Sequence, residues 1–229
     1  MYCQSCGSPV ETGAGFCASC GSAQRIEAGS GAVTTAPAAY TVRTGGQSDT
    51  MRWIGEGWDV VKADLGTFVL MGIVMMLVNG AVPFLLQGAT TAGFQIACRK
   101  SLRGQKPEIG DLFQGFQFFV PTLLAHIVIS ILVFIGILFF IIPGLVVAAM
   151  YNFTYLFIVD KRMDLGAAMR ASHAVVKQDY FGYTMFVIAL GLLNIAGFLC
   201  LIVGLLVTVP MTFAAITVAY LDAVGFEPL

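Results

Sequence analysis

Four cysteines near the N-terminus form the pattern with the clearest chemistry in this chain. Cys3 and Cys6 are separated by two residues, Cys17 and Cys20 are spaced in the same way, and a glycine directly follows each pair. Two such turns can place four thiolates around one tetrahedral zinc ion. Because the four thiolates would leave no open coordination position, we expect the metal to have a structural or docking role.

The same residue types also serve disulfides, redox-active dithiols and iron centres. Two CxxC units favour a metal over a disulfide pair, and zinc is the metal that such a site usually holds. Residues 1–22 are too few to bury a hydrophobic core, so metal binding would have to drive their folding. The sequence therefore predicts a zinc ribbon over residues 1–22.

The composition of the remaining chain indicates a membrane protein. The chain is 58% hydrophobic and only 11% charged, whereas soluble domains average about 25% charged residues. Residues 65–98, 112–159 and 180–221 contain no Asp, Glu, Lys or Arg. A membrane-spanning helix needs about 20 apolar residues, so we expect an all-α protein with six transmembrane helices arranged as three hairpins.

The predicted boundaries follow from these changes in composition. Residues 23–50 are rich in Ala, Gly, Thr and Ser without apolar periodicity, which is typical of a flexible linker. Residues 51–224 form the predicted membrane domain, and residues 225–229 form a C-terminal tail. Breaks between paired helices are expected at residues 79–83, at Pro143-Gly144 and in the Gly197–Pro210 region.

Three short amphipathic segments are predicted to lie at the membrane surface, over residues 51–64, 107–119 and 164–179. The expected apolar faces consist of Met51, Ile54, Trp58, Val61 and Leu65 in the first segment, Ile109, Leu112, Phe113 and Phe116 in the second, and Leu165, Ala168, Met169, Ser172, Val175 and Val176 in the third. A water-soluble helix is the alternative for the first segment, but its two tryptophans favour an interfacial position.

The placement of basic residues predicts the orientation in the membrane. All twelve Lys and Arg lie in the N-terminal region, in residues 99–106 or in residues 161–177. By the positive-inside rule these segments and both termini face the cytoplasm, where reduced thiols are available for zinc. The similar sequences Val60–Asp64 and Val175–Asp179, each preceding an apolar run, indicate repeated units of one surface helix and one hairpin.

Few polar side chains lie within the predicted spans. Asn79, His126, Asn152 and Asn194 could line a polar path for a solute, but hydrogen bonds between helices are the more common role of such residues. We therefore expect them to join helices.

Basic residues at the predicted cytoplasmic side could contact anionic lipids. They are Arg99, Lys100, Arg103, Lys161, Arg162, Arg170 and Lys177. Positive-inside topology alone would explain the same charges. The carboxylates nearby, including Asp111 and Asp160, are expected to form solvated ion pairs.

Several motifs resemble a widespread family of uncharacterised prokaryotic six-helix membrane proteins. They are Ile142-Pro143-Gly144, the return helix ending at Asp160, the Ala-x-x-x-Ser helix of residues 167–172 and the Asp-Leu-Phe-x-Gly-Phe connector of residues 111–116. The similarity covers roughly residues 50–224 and extends, more distantly, to the membrane domain of some glycerophosphodiester phosphodiesterases. It implies a prokaryotic inner membrane and brings no catalytic residues.

The sequence thus predicts a non-enzymatic membrane protein with zinc as its cofactor and a cytoplasmic docking module. The expected role is scaffolding, regulation or membrane homeostasis, and the alternative is a transporter or channel for a lipid or small solute. The expected partners are the lipid bilayer and a protein bound by the zinc ribbon. No nucleic acid is expected, and a homo-oligomer is left open.

Overall fold

The computed structural model of this chain describes residues 48–81, 84–200 and 204–225. These residues form helices and connections, with no strand among them. The helices are α1 (Thr50–Ala63), α2 (Leu65–Ala81), α3 (Gln87–Leu102), α4 (Ile109–Gln114), α5 (Phe119–Phe139), α6 (Ile141–Met150), α7 (Thr154–Lys161), α8 (Leu165–Val176), α9 (Tyr180–Leu199) and α10 (Leu205–Val224), with a 3-10 turn at Gly115–Phe118. The prediction of an all-helical chain is confirmed for the described residues.

Within the described residues, four helical stretches are long and apolar enough to cross a membrane. They are Ile109–Phe139, Ile141–Lys161, Tyr180–Leu199 and Leu205–Val224. The pair α1 and α2, which is bent by 97°, gives a fifth candidate if it is counted as one span. In the most apolar window of Ile109–Phe139 only 11% of the residues are buried within the protein. Such a surface is expected for helices that contact lipid, so the chain fits a multi-pass membrane protein.

Helix α3 is not among these candidates, although a sixth span was predicted in this region. It has 16 residues, which corresponds to a length of about 24 Å at 1.5 Å per residue. Its residues from Gly88 to Phe94 are buried against other helices, together with the polar side chains of Thr90, Thr91 and Gln95. A helix surrounded by protein does not need an apolar surface, which explains its low hydropathy.

The second predicted hairpin turn lies three residues earlier than expected. Helix α5 ends at Phe139, Phe140 is extended with φ −164° and ψ 152°, and Pro143 falls in the first turn of α6. Proline is favoured there because the first turn needs no N–H donor from it. A Cβ added to Gly136 would lie 2.8 Å from the Gly144 Cα, so these glycines allow the two arms to pack closely.

The other two turns are described in part. Helix α2 ends at Ala81 and α3 begins at Gln87, while Val82 and Pro83 lie outside the described residues. Helices α9 and α10 are separated by residues 200–204, and Pro210 lies within α10 rather than at its start. In the described residues α1 precedes α2 and α3, α4 precedes α5 to α7, and α8 precedes α9 and α10.

The two similar pentapeptides occupy equivalent positions in the first and third units. Both valine pairs are buried. The Asp64 carboxylate accepts a hydrogen bond from the Thr67 N–H at the start of α2, and Asp179 accepts one from the Gly182 N–H at the start of α9. The repeat in the sequence therefore encodes a repeated transition from surface helix to apolar helix.

Helix α1 packs differently from the prediction. Its buried side chains are Trp53, Val60 and Val61, and Gly57 lies so close to α10 that an added Cβ would be 2.7 Å from the Ala215 nitrogen. Met51 and Trp58 of the predicted apolar face are exposed. The apolar arc of α1 is thus wide enough for one side to contact α10 while the other side stays exposed.

The two tryptophans should report these two environments separately. In a Trp53→Phe variant, the remaining Trp58 should be quenched strongly by lipids that carry a nitroxide near the headgroup. In a Trp58→Phe variant, Trp53 should be quenched several-fold less, because it is 1% exposed and stacks on Tyr183. Equal quenching of both variants in vesicles would contradict the position of α1.

The two other amphipathic segments, α4 and α8, differ in how much of their predicted apolar face is buried. In α4, Leu112 is buried while Ile109 and Phe113 are exposed, so other helices cover only part of the predicted apolar face. In α8, Ala168, Ser172 and Val175 are buried, as the sequence predicted. The Ser172 hydroxyl accepts from the Phe153 N–H and donates to the Met150 carbonyl, which satisfies the backbone where α6 passes into α7.

Candidate functional site

Three ion pairs gather charged residues of the described chain at one end of the bundle. Arg52 pairs with Asp222, Arg99 with Asp160, and Lys100 with Asp111, which brings the start of α1, the ends of α3, α7 and α10, and α4 together. The opposite ends of the apolar helices carry no charged residue in the described ranges. We call the end that holds the three ion pairs the charged end of the bundle.

A pocket of about 510 Å³ opens at the charged end, between α3, α4 and α7. Its charged lining consists of Arg99, Lys100, Arg103, Arg162, Asp111 and Asp160. The amides of Gln105, Gln114 and Gln117 also contribute. Cationic side chains outnumber carboxylates by two, so the pocket has a net positive charge.

Asp160 anchors one side of the pocket. Its carboxylate pairs with the Arg99 guanidinium and accepts a 2.8 Å hydrogen bond from the Tyr220 hydroxyl, so it joins α7 to α3 and α10. The side chains of Arg99 and Asp160 are only 14% and 10% exposed. The Arg99 Nε is buried without a hydrogen-bond partner in the described part of the chain.

Asp111 anchors the other side. Its carboxylate lies 3.2 Å from the Lys100 Nζ and accepts hydrogen bonds from the Gln114 amide at 3.0 Å and the Glu108 N–H at 2.8 Å. The expectation of solvated ion pairs is wrong for Asp111 and Asp160, because both are held under neighbouring helices. The sequence showed both beside basic residues but could not show that their partners would bury them.

The structure separates the seven basic residues that the sequence offered as possible contacts for anionic lipid. Arg99, Lys100, Arg103 and Arg162 line the pocket. Lys161 is buried beside Asp160, and its Nζ lies 4.0 Å from that carboxylate. Arg170 and Lys177 are exposed on and just after α8 and are not part of the pocket lining.

Arg162 is placed by an unusual backbone conformation. It ends α7 in the left-handed region, at φ 50° and ψ 37°, and its N–H donates to the Phe157 carbonyl. A non-glycine residue in this region is uncommon and often marks a constrained site. Nothing in the sequence around residues 161–163 signalled this turn.

The four residues considered for a polar path, which were expected to join helices instead, form separate hydrogen bonds. Asn79 bonds Thr90 at 3.3 Å, His126 bonds the Tyr155 hydroxyl at 3.1 Å, and Asn194 bonds Thr212 at 2.8 Å. Within the described ranges no hydrogen bond joins any two of the four, and Asn152 bonds only through its backbone N–H, to the Ala149 carbonyl. Each of the three bonded side chains therefore joins a different pair of helices.

The segment that leads into α1 is fastened to the charged end. The Ser48 hydroxyl donates to the Asp179 carboxylate, and the Trp53 Nε1 donates to Asp222 at 3.1 Å beside the Arg52 ion pair. The start of α1 therefore lies beside the start of α9 and the end of α10. Hydrogen bonds from the Ser48 hydroxyl and the Gly182 N–H lower the pKa of Asp179 from its ordinary value.

This shift predicts an acid-sensitive contribution to stability. Because the folded-state pKa of Asp179 is lowered, its contribution should be constant above about pH 4 and should fade as the pH falls through the lowered pKa. In detergent, the Tm of the wild type should fall more between pH 6 and pH 3 than the Tm of Asp179→Asn. Parallel Tm profiles for the two proteins would contradict the assignment.

The cysteines of the predicted zinc ribbon, Cys3, Cys6, Cys17 and Cys20, lie outside the described residues. In the described ranges no group of three or more His, Cys, Asp or Glu side chains is arranged to hold a metal. The predicted zinc site therefore stays a prediction from the spacing of the four cysteines.

The family resemblance also stays a prediction from the motifs. Comparison of the chain with protein-family models, curated proteins and solved structures gives no match.

Proposed function

We propose that this chain is a non-enzymatic, multi-pass membrane protein whose zinc ribbon, residues 1–22, recruits a protein partner at the cytoplasmic face. The bundle holds the ribbon at a prokaryotic inner membrane, in a scaffolding, regulatory or membrane-homeostasis role. The observation that carries the proposal is the fastening of Ser48 to Asp179 at the charged end. The first described residue, Ser48, therefore lies at the charged end.

The distribution of charge supports a cytoplasmic position for that end. Basic residues cluster there, whereas the opposite ends of the spanning helices carry no charge in the described ranges. Cytoplasmic loops of membrane proteins carry an excess of Lys and Arg. A cytoplasmic ribbon would also have reduced thiols available for zinc.

Contacts between the first and last helices, α1 and α10, support an even number of membrane crossings. Arg52 pairs with Asp222, so the chain enters and leaves the bundle on the same side. If α2 crosses the membrane, α3 must return the chain to the charged end, where Arg99 meets Asp160. We therefore retain six crossings, with α3 as a short span that other helices shield from lipid.

The packing of the bundle favours an anchor over a transporter. Asn79, His126 and Asn194 are each engaged in a separate bond between helices. The large buried side chains form two hydrophobic clusters, one around Trp53, Phe157 and Tyr220 and one around Phe68 and Phe94. Both observations are typical of helices that pack against one another rather than around a solute.

Site-specific crosslinking in cells tests the proposed docking role. A chain without residues 1–22 should lose a protein adduct that the full chain forms, and it should remain in the membrane fraction. Removing residues 25–46 deletes the same length of chain from the linker and should preserve the adduct. If both deletions give the adduct pattern of the full chain, the ribbon does not recruit the partner.

A further inference from the structure

We propose that the pocket between α3, α4 and α7 binds the phosphate of an anionic phospholipid headgroup. This goes beyond the docking role, since it requires a membrane-embedded bundle but no zinc ribbon. Basic pockets between transmembrane helices on the cytoplasmic side are a recurrent binding site for such headgroups. Three observations carry the assignment to this pocket.

The first observation is the charge balance. Four cationic side chains and two carboxylates line the pocket, which leaves a surplus of two positive charges. The ends of α3 and α7 also lie there, and a helix C-terminus is equivalent to roughly −0.5 charge. The two helix ends together cancel about one positive charge, so the pocket still attracts an anion.

The second observation is how the cationic groups are held. Asp160 orients Arg99, and Asp111 orients Lys100, so neither cation is free to collapse into the space between them. Arg162, whose backbone is left-handed at the end of α7, lines the pocket beside them. Guanidinium groups form paired hydrogen bonds with phosphate oxygens, and cations ordered in advance lose less entropy on binding.

The third observation is the size and polarity of the pocket. Its volume of about 510 Å³ lies within the range of roughly 300–1,000 Å³ that is usual for small-molecule sites. Gln105, Gln114 and Gln117 can hydrogen-bond headgroup hydroxyls or ester oxygens, while Ile96 and Phe118 provide an apolar wall.

The segment that lines the pocket also presents an apolar surface that suits acyl chains. Phe113 is 52% exposed. Its ring stacks on Phe116 at 6.2 Å, and Phe116 stacks on Phe119 at 6.5 Å. A ligand with a phosphate headgroup and acyl chains would satisfy both surfaces, which favours a lipid over a soluble phosphate ester.

Calorimetric titration of the full chain in detergent tests the proposal. Dihexanoyl phosphatidylglycerol should bind, whereas dihexanoyl phosphatidylcholine should bind at least tenfold more weakly. Glycerol 3-phosphate carries the phosphate without acyl chains and should also bind more weakly. Equal binding of phosphatidylcholine would overturn the anion site, and equal binding of glycerol 3-phosphate would show that the ligand is a soluble phosphate ester instead.

Matched variants locate the site. Each basic residue near an anionic lipid contributes about 1 kcal/mol, or roughly fivefold in affinity. The variant Arg103→Gln/Arg162→Gln should therefore raise the Kd for dihexanoyl phosphatidylglycerol on the order of 30-fold, and Arg162→Gln alone should raise it about fivefold. Arg170→Gln/Lys177→Gln removes the same charge outside the pocket and should leave the Kd within twofold of the wild type.

The outcomes separate the site from a general surface effect and from the docking proposal. If the pocket and control double variants raise the Kd equally, the whole basic surface binds the lipid and the pocket assignment is wrong. Thermal unfolding of each variant shows whether the bundle is intact, and Arg162→Gln, at an exposed position, supplies the test if the double variant unfolds. A chain without residues 1–22 should retain lipid binding even if it loses its protein partner.

Discussion

Replacing Cys17 and Cys20 together by serine should abolish stoichiometric zinc binding by the purified chain. A serine hydroxyl is a far weaker zinc ligand than a thiolate, and two remaining thiolates cannot complete a tetrahedral site. Structural zinc sites contribute about 10–16 kcal/mol of apparent binding free energy, so this is the largest effect that we expect. The wild type should bind one zinc ion, measured by elemental analysis, and the variant should bind less than a tenth of one.

The chain contains its own control for this substitution. Cys200 is exposed at the end of α9 and is not part of a CxxC pair. The variant Cys200→Ser should therefore retain one zinc ion. Zinc that persists in Cys17→Ser/Cys20→Ser would place the metal elsewhere, and iron in place of zinc in the wild type would correct the identity of the metal.

Replacing Gly93 by alanine should destabilise the bundle by about 3 kcal/mol or more, at the upper end of the cost of overpacking a core. A Cβ at this position would lie 2.6 Å from the Leu112 carbonyl carbon and closer still to its oxygen. Both obstacles belong to the backbone of α4, so no side-chain rotation can relieve the clash. Helix α4 would have to move away from α3, which would also widen the lipid pocket.

The matched control for Gly93 lies in α4 itself. Gly110 has no atom within 4 Å of an added Cβ, so Gly110→Ala should change the free energy of unfolding by less than about 1 kcal/mol, in the direction of greater stability. Thermal unfolding in detergent measures both variants. A Tm for Gly93→Ala that equals that of Gly110→Ala would contradict the close contact between α3 and α4.

Helical class and the order of elements could be predicted because they depend on local composition. The apolar runs without charge gave the long helices α5, α9 and α10. The similarity between Val60–Asp64 and Val175–Asp179 identified equivalent transitions from surface helices to apolar helices. Both features depend on residues that are neighbours in the sequence. They can therefore be predicted without knowing which distant residues are in contact.

The packing of individual helices could not be predicted from the same signals. Periodicity showed that α1 is amphipathic, but an apolar arc does not reveal whether protein or lipid covers it. Hydropathy treats α3 like any other segment, although its surroundings are protein rather than lipid. The burial of Asp111 depends on Lys100, which belongs to another helix, and the charges alone suggested a solvated surface.

The candidate pocket was predicted only in its residue types. All four of its cationic residues belonged to the group considered as possible contacts for anionic lipid. Their separation from Arg170 and Lys177 required the packing of α7 against α3, which brings Asp160 to Arg99. The glutamines were not predicted, since amides in short connectors are usually solvated.

The zinc ribbon, the pocket and the linker are all assigned to the cytoplasm through the sidedness of the charged end. A membrane-impermeant maleimide, read by peptide mass spectrometry, tests it with Lys177→Cys at the charged end and the native Cys200 at the opposite end of α9. In intact cells we expect labelling of Cys200 and none at position 177, with the reverse in inside-out vesicles. Labelling of position 177 from outside intact cells would show that the charged end does not face the cytoplasm.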